Sequence, residues 1–133
     1  MREILFKAKR IDNGEWVEGF YFCMVHDDGR HVHHFIMPLG TDLNLGTPIE
    51  KIQVEVDINT ICQYTGLTDK NGNKIWENDI ISYPQIYARG NVAFVEDTFV
   101  LFDDWDGKQY INGMWKKFEV IGNIFDNAEL VKE

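Results

Sequence analysis

Four histidines fall close together, His26, His31, His33 and His34, and the chain has no others. Imidazole is the commonest metal ligand and titrates near neutrality, so such a cluster could hold zinc or nickel, or form a pH-sensitive patch. Between them, Asp27-Asp28-Gly29-Arg30 carries an Asp-Gly hairpin signal. A two-residue turn at Asp28-Gly29 sets Asp27 opposite Arg30 and His26 opposite His31. Side chains alternate along a strand, so His26, His31 and His33 share one face while His34 points away. A metal site also needs fixed ligand geometry, and no Cys, Asp or Glu stands at a spacing that completes a tetrahedral set. Exposed imidazoles are the default expectation, with His26, His31 and His33 as the candidate metal ligands.

Other reactive residue types are sparse. Asp103-Asp104-Trp105-Asp106-Gly107 has the acids of a calcium loop but neither the bidentate acid near the twelfth position nor flanking helices. It reads as a solvated hairpin turn. Ser82 is the sole serine and lacks the glycines of a nucleophile elbow. Cys23 and Cys62 stand far apart without a Cys-x-x-Cys, so a zinc ribbon or disulfide framework is not implied. Both sit in apolar runs, where a buried reduced thiol in a cytoplasmic protein is expected. No P-loop, dinucleotide fingerprint or His-Glu-x-x-His occurs, so an enzyme is unsupported and no cofactor is expected.

The 133 residues carry a net charge of -9, with 44% apolar and 14% aromatic residues. That apolar content excludes an acidic disordered chain, and the length suits one domain or two small subdomains. The acidic field repels phosphates, which disfavours broad binding to nucleic acid or anionic membrane. The longest apolar run, residues 20–25, is far too short to span a bilayer, and the first ten residues do not read as a signal peptide.

The elements that must position these groups are short strands. Residues 16–25 are rich in aromatic and β-branched types, Asn13-Gly14 precedes them as a hairpin signal, and 31–37 is the returning strand. Residues 38–48 form an irregular loop. Residues 52–58 alternate apolar and polar as a half-buried strand. Lys70-Asn71-Gly72-Asn73 predicts a type I′ hairpin with Asp69 opposite Lys74. Strands are then predicted from Ile80, at 91–95, 98–102, 109–111 and 115–121, with a capped helical turn at 126–130. The expectation is a mainly β (β-rich α+β), antiparallel protein: a β-rich subdomain at 1–58 and a small barrel at 59–133.

Three stretches carry a resemblance. Residues 60–81, with Gln63-Tyr64-Thr65-Gly66, Lys70-Asn71-Gly72-Asn73 and Trp76-Glu77-Asn78-Asp79, resemble the central signature of the YopX-like proteins of bacteriophages and prophages. Val120-Ile121-Gly122-Asn123-Ile124-Phe125-Asp126-Asn127 resembles their C-terminal signature. Phe6-Lys7-Ala8-Lys9 with Gly14-Glu15-Trp16-Val17-Glu18-Gly19 resembles their usual start. Where that family commonly has Glu-Gly-Asp, this chain has Glu77-Asn78-Asp79, which tolerates positive φ less well. The resemblance implies an SH3-like barrel in the C-terminal half, a phage or prophage origin and homo-oligomers. It carries over no catalytic residues.

Read physically, Asn71-Gly72 sets a hairpin, Ile75 and Trp76 supply buried bulk, and Asp79 can accept from nearby amides. Gln63, Tyr64 and Thr65 form the candidate recognition edge, with Trp76 and Asp79 beside them; a folding role for these residues is the stronger expectation. The functional expectation is a non-catalytic, oligomeric protein-interaction module of the bacterial cytoplasm, its partners itself and a host or phage protein. Two alternatives are weighed against it. A small nucleic-acid-binding barrel would stack bases on aromatics beside Arg89 and Lys116-Lys117. A metal-dependent hydrolase would use the histidines or the aspartates at 103–106.

Overall fold

Turn chemistry decides where this chain reverses. In a computed structural model, residues 4–40, 48, 52–83, 88–95, 98–103, 107–109 and 115–130 are described. Almost every regular element among them is a strand. Strand β1 (Phe6–Lys9) leads through a four-residue loop into β2 (Trp16–Val25), with the Arg10 amide donating to the Glu15 carbonyl at 2.8 Å. Strand β2 pairs antiparallel with β3 (Val32–Pro38) from Gly19↔Pro38 to Val25↔Val32. The connecting loop takes its reversal from Gly29, at φ +68°, with the Gly29 amide bonded to the His26 carbonyl. Asp28 stays out of the positive-φ region, so this is a four-residue turn rather than the two-residue one expected. The pairing register is nonetheless the same, and His26 lies opposite His31.

Strand β4 is only Val54–Glu55, paired with β3, where a strand over 52–58 was expected. Asp57 ends it. Its carboxylate accepts from the Asn59 amide and caps a single 3-10 turn, Ile58–Thr60. The Thr60 hydroxyl then accepts from the Lys9 amide at 2.8 Å and donates to the Asp57 carbonyl, tying that turn to β1. Strand β5 (Cys62–Thr68) pairs with β1 through Cys62 and Gln63. The chain divides into two compact units at Gln63/Tyr64, inside β5. In the first, Ala8, Ile36 and Val56 are sealed from solvent, with Phe6, Val17, Val54 and Ile61 packed around them.

In the second unit, β5 continues into a hairpin with β6 (Lys74–Trp76). Only Gly72 of the Asn71-Gly72 pair takes positive φ, whereas a type I′ turn needs both. The turn has three residues, closed by Gly72 to Asp69 and Asp69 to Asn73 backbone bonds. Lys74 therefore pairs with Thr68, not with Asp69 as expected, and Asp69 turns inward. Strands β7 (Asp79–Tyr83), β8 (Ala88–Val95), β9 (Thr98–Asp103) and β10 (Gly107–Gln109) follow as neighbours, and β11 (Glu119–Asn123) returns to β7 with a bulge between Val120 and Gly122. Residues 115–117 form a 3-10 turn in place of the expected strand start. That spacing brings Trp115 and Phe118 onto one side, where both join Ile75, Ile81, Val92 and Phe99 in the core. A 3-10 turn at Ala128–Leu130 ends the described chain.

The antiparallel, mainly β class is as expected. The closed SH3-like barrel is not: among the described residues the sheet order β10-β9-β8-β7-β11 leaves two edges. Closure needs its first and last strands to pair, a long-range choice that local hairpin signals do not specify, and β10 offers three residues for it. Residues 41–47 of the loop expected at 38–48, the aspartates at 104 and 106, Trp105, and residues 110–114 lie outside the described residues.

Asn78 sits at φ +71°, the one non-glycine residue described in the left-handed region. Its amide donates to the Val92 carbonyl at 2.7 Å and its carbonyl accepts from Ile124, so the conformation is held from both sides. Asn78→Val is expected to lower stability by about 2 kcal/mol, and Asn78→Gly to raise it by about 0.5 kcal/mol. Urea midpoints of the three proteins check this ordering, and equal midpoints would contradict it.

Candidate functional site

Gln63, Tyr64 and Thr65, the candidate recognition edge, do not make an exposed one, nor do Trp76 and Asp79 beside them. Tyr64, Thr65, Trp76 and Asp79 are all buried, and Gln63 is half-buried. The Tyr64 ring packs on Trp76, its cross-strand partner, at 5.4 Å between centroids, and the Lys74 ammonium lies 5.7 Å from the Tyr64 ring centroid. The Thr65 hydroxyl donates to the Ile75 carbonyl at 2.7 Å and accepts from the Leu67 amide. An Asp79 carboxylate oxygen accepts from the Trp76 amide at 2.8 Å, closing the turn through Asn78. Thr65 and Asp79 spend their polar groups on backbone.

Asp69 does the same on a larger scale. It is 3% exposed, and its carboxylate accepts from the amides of Asn71, Asn73 and Val120, each at 2.9 Å. Burial alone would raise its pKa, yet the amides of Val120, Asn73 and Asn71 and the Asn73 side chain together hold it below the ordinary aspartate value. The Lys70 amide adds a bond to the Phe118 carbonyl. The hairpin tip of the central signature is thereby fastened to the strand of the C-terminal signature.

The surface that could meet a partner lies on the first unit's sheet. Strand β2 is apolar on both sides. Its Val17, Gly19 and Tyr21 side faces the core, and Trp16, Glu18, Phe20, Phe22 and Met24 face the other way. Across the pair, Phe20 stands opposite Met37, Phe22 opposite Phe35, and Met24 opposite His33. Phe20 and Met24 are each 49% exposed, and Phe22 stacks on Phe35 at 5.4 Å. Lys7 and Lys9 border this face from β1, their ammonium groups 4.7 and 5.5 Å from the Trp16 ring. Glu55 borders it from β4, where a carboxylate oxygen accepts from His33 Nδ1 at 2.6 Å. Periodicity could not reveal this open face, because a strand apolar on both sides reads as buried on both sides.

The histidines divide between the two sides as their alternation predicts. His26 lies 4.7 Å from His33 and 6.0 Å from His31 between ring centroids. His31 Nδ1 is bonded to the Asp28 carboxylate, whose pKa is lowered first by the Arg30 amide, then by the His31 amide and ring. His34 is on the opposite side, its Nδ1 2.6 Å from the Tyr21 hydroxyl. Burial and the neighbouring Cys23 raise the Tyr21 phenol. Cys62 is buried as expected, but Cys23 is exposed, since its side of β2 has left the core by that point. A cleft of about 420 Å³ beside β4 is lined in part by Arg10, His34, Glu55 and Asp57. Arg10 is engaged by Asp12 at 2.8 Å, Glu55 by His33, and no nucleophile accompanies them among the described lining. Among the described residues, no group of three or more His, Cys, Asp or Glu could hold a metal ion. Among them too, no helix is long and apolar enough to cross a membrane.

Antiparallel sheets with almost no helix, joined by hairpins and pinned by buried side-chain-to-backbone bonds, define a mainly β protein with an open sheet face. The chain belongs to the YopX protein family, which it matches over residues 6–132. The crystal structure of protein EF1440 from Enterococcus faecalis is similar, with a TM-score of 0.56 and 24% identity, over 99% of this chain and 100% of that one. That likeness speaks to the fold alone. No curated protein matches the chain.

Proposed function

We propose that this chain is a non-catalytic, self-associating protein-interaction module of a bacteriophage or prophage, working in the cytoplasm of the bacterial host through the open face of β2 and β3. The carrying observation is the row of Phe20, Phe22, Met24, Phe35 and Met37 on one side of a sheet, with Phe20 and Met24 half in solvent. Contiguous exposed apolar surface on a soluble protein is characteristic of contact sites, and aromatics and methionine are the residue types enriched there. A second copy suits the face. A two-fold axis would set the apolar row of one protomer against the same row of its partner. Family membership supports the phage setting.

Sedimentation velocity at micromolar concentration tests this. The wild-type chain is expected to run above monomer mass. Phe20→Glu, a change at an exposed position that leaves the fold intact by circular dichroism, is expected to weaken association by about 2 kcal/mol, roughly 30-fold. A wild-type monomer across that range, or a variant that associates equally well, contradicts the reading.

The same face has the composition of a base-stacking platform, with Lys7 and Lys9 at its edge. The charge of -9 opposes encounter with nucleic acid, which ranks that reading second. Phe20-dependent, salt-sensitive retention of single-stranded DNA would put it first.

A further inference from the structure

Strand β2 outruns one of its two neighbours. Strand β1 pairs with it only from Lys9↔Trp16 to Phe6↔Gly19, whereas β3 stays with it as far as Val25↔Val32. Past Gly19, no strand among the described residues lies along the β1 side of β2. We propose that this edge, from Tyr21 to Val25, is where two copies of the chain meet, β2 pairing antiparallel with the partner's β2 to make one continuous sheet. The inference rests on the self-association proposed above and specifies its geometry.

Backbone direction carries the first part of the argument. The His26 amide bonds to the His31 carbonyl and the Leu39 amide to the Glu18 carbonyl. Even-numbered residues of β2 therefore turn their backbone groups toward β3, and odd-numbered ones turn theirs the opposite way. Val17 and Gly19 meet Ala8 and Phe6 of β1 in this manner. Tyr21, Cys23 and Val25 point their amides and carbonyls along an edge that β1 has already left. A row of such ladder groups is a template for another strand.

Symmetry and side chains name the occupant. Two identical strands laid antiparallel are each other's complement, which is the requirement of a two-fold contact. The three outward residues centre on Cys23, so an axis there sets the two Cys23 residues opposite each other and Tyr21 opposite the partner's Val25. On the open face Phe22 then falls opposite the partner's Met24, a ring against a thioether, and the two apolar rows lie side by side. Residues 20–25 contain no charge and no proline, the features that blunt a strand edge. Each copy carries a net charge of -9, and this run lets two copies touch without setting like charges opposite each other.

The chain supplies its own reporter, since Cys23 is exposed and Cys62 is buried. In a hydrogen-bonded antiparallel pair the Cα atoms stand about 5.5 Å apart, inside the roughly 4.4–6.8 Å that a disulfide spans. Full-length protein is treated with diamide, which takes up the two thiol hydrogens as the S–S bond forms, at concentrations set by sedimentation velocity. A dimer linked through Cys23 is expected on non-reducing gels and by peptide mass. Val25→Pro keeps the reporter and costs no bond to β3, because the Val25 amide faces outward, but it removes an edge donor. Cross-linking and association should each fall at least about tenfold in that variant, with its fold checked by circular dichroism. If the wild type associates without a Cys23-linked dimer, or Val25→Pro cross-links and sediments like the wild type, the edge pairing is overturned while the contact face stands. A wild type that stays monomeric overturns the self-association reading and the edge pairing with it.

Discussion

Replacing Asp69 with alanine is expected to cost the second unit about 4 kcal/mol, the largest loss from any polar residue described. One carboxylate serves three backbone amides drawn from two distant stretches of chain, Asn71 and Asn73 in the hairpin and Val120 in β11. Alanine removes the one acceptor that these three amides share. Asp69→Asn keeps the shape but turns one acceptor into an NH2 group that faces an amide, so it should fail nearly as badly. Chemical unfolding followed by tryptophan fluorescence reads this directly, since Trp115 sits in the core of the same unit.

The same residue fixes the acid limb of stability. Its folded pKa lies below the value of about 3.9 expected for an unfolded aspartate. Such a group adds stability that is complete above the unfolded value and is lost as pH falls through the folded one. Wild-type stability should therefore drop as the pH is taken below about 4, and the drop should be shallower in Asp69→Asn. An Asp69→Asn protein with wild-type stability and a wild-type acid limb would contradict the role given to this carboxylate. Asp12 and Asp28 are also held low, but both are solvent-exposed, where screening leaves such pairs little weight.

The second large effect is expected at Gly19. An added Cβ there would run into the carbonyl oxygen and carbon of Met37 on the neighbouring strand, with Ile36 just beyond. Backbone cannot step aside as a side-chain tip can, so Gly19→Ala should cost about 3 kcal/mol and part β2 from β3. Because Phe20 and Met37 flank the clash, the open face should be lost along with the pairing. Thermal unfolding and sedimentation of the one variant should both change. A Gly19→Ala protein that melts and sediments like the wild type would mean that these strands do not approach as described.

Local chemistry made much of this legible in advance. Asp-Gly at 28–29 placed His26 against His31, although the turn proved longer, because a turn can gain two residues symmetrically without shifting the register. The substitution at Asn78 signalled strain where the backbone does take positive φ. Asn71-Gly72 was less informative: a hairpin forms there, but a three-residue turn moves Lys74 off Asp69 and frees that acid to turn inward. Asp69's partner Val120 is far away in sequence, and no local pattern announces such a bond. Sheet closure failed as an expectation for the same reason. The open face was hidden by composition, since Phe20, Phe22 and Met24 look like core residues until Ile36 and Ala8 are seen to fill the core from the other side.

Methyl spectra of ¹³C-labelled methionines test the central claim most directly, since two of the four methionines, Met24 and Met37, lie on the proposed contact face. Over a dilution series that spans the change in mass, the resonances of both are expected to shift or broaden, and Phe20→Glu should hold them at their dilute positions. If the mass changes while the Met24 and Met37 methyls stay fixed, the protomers meet elsewhere and the open sheet is not the working surface.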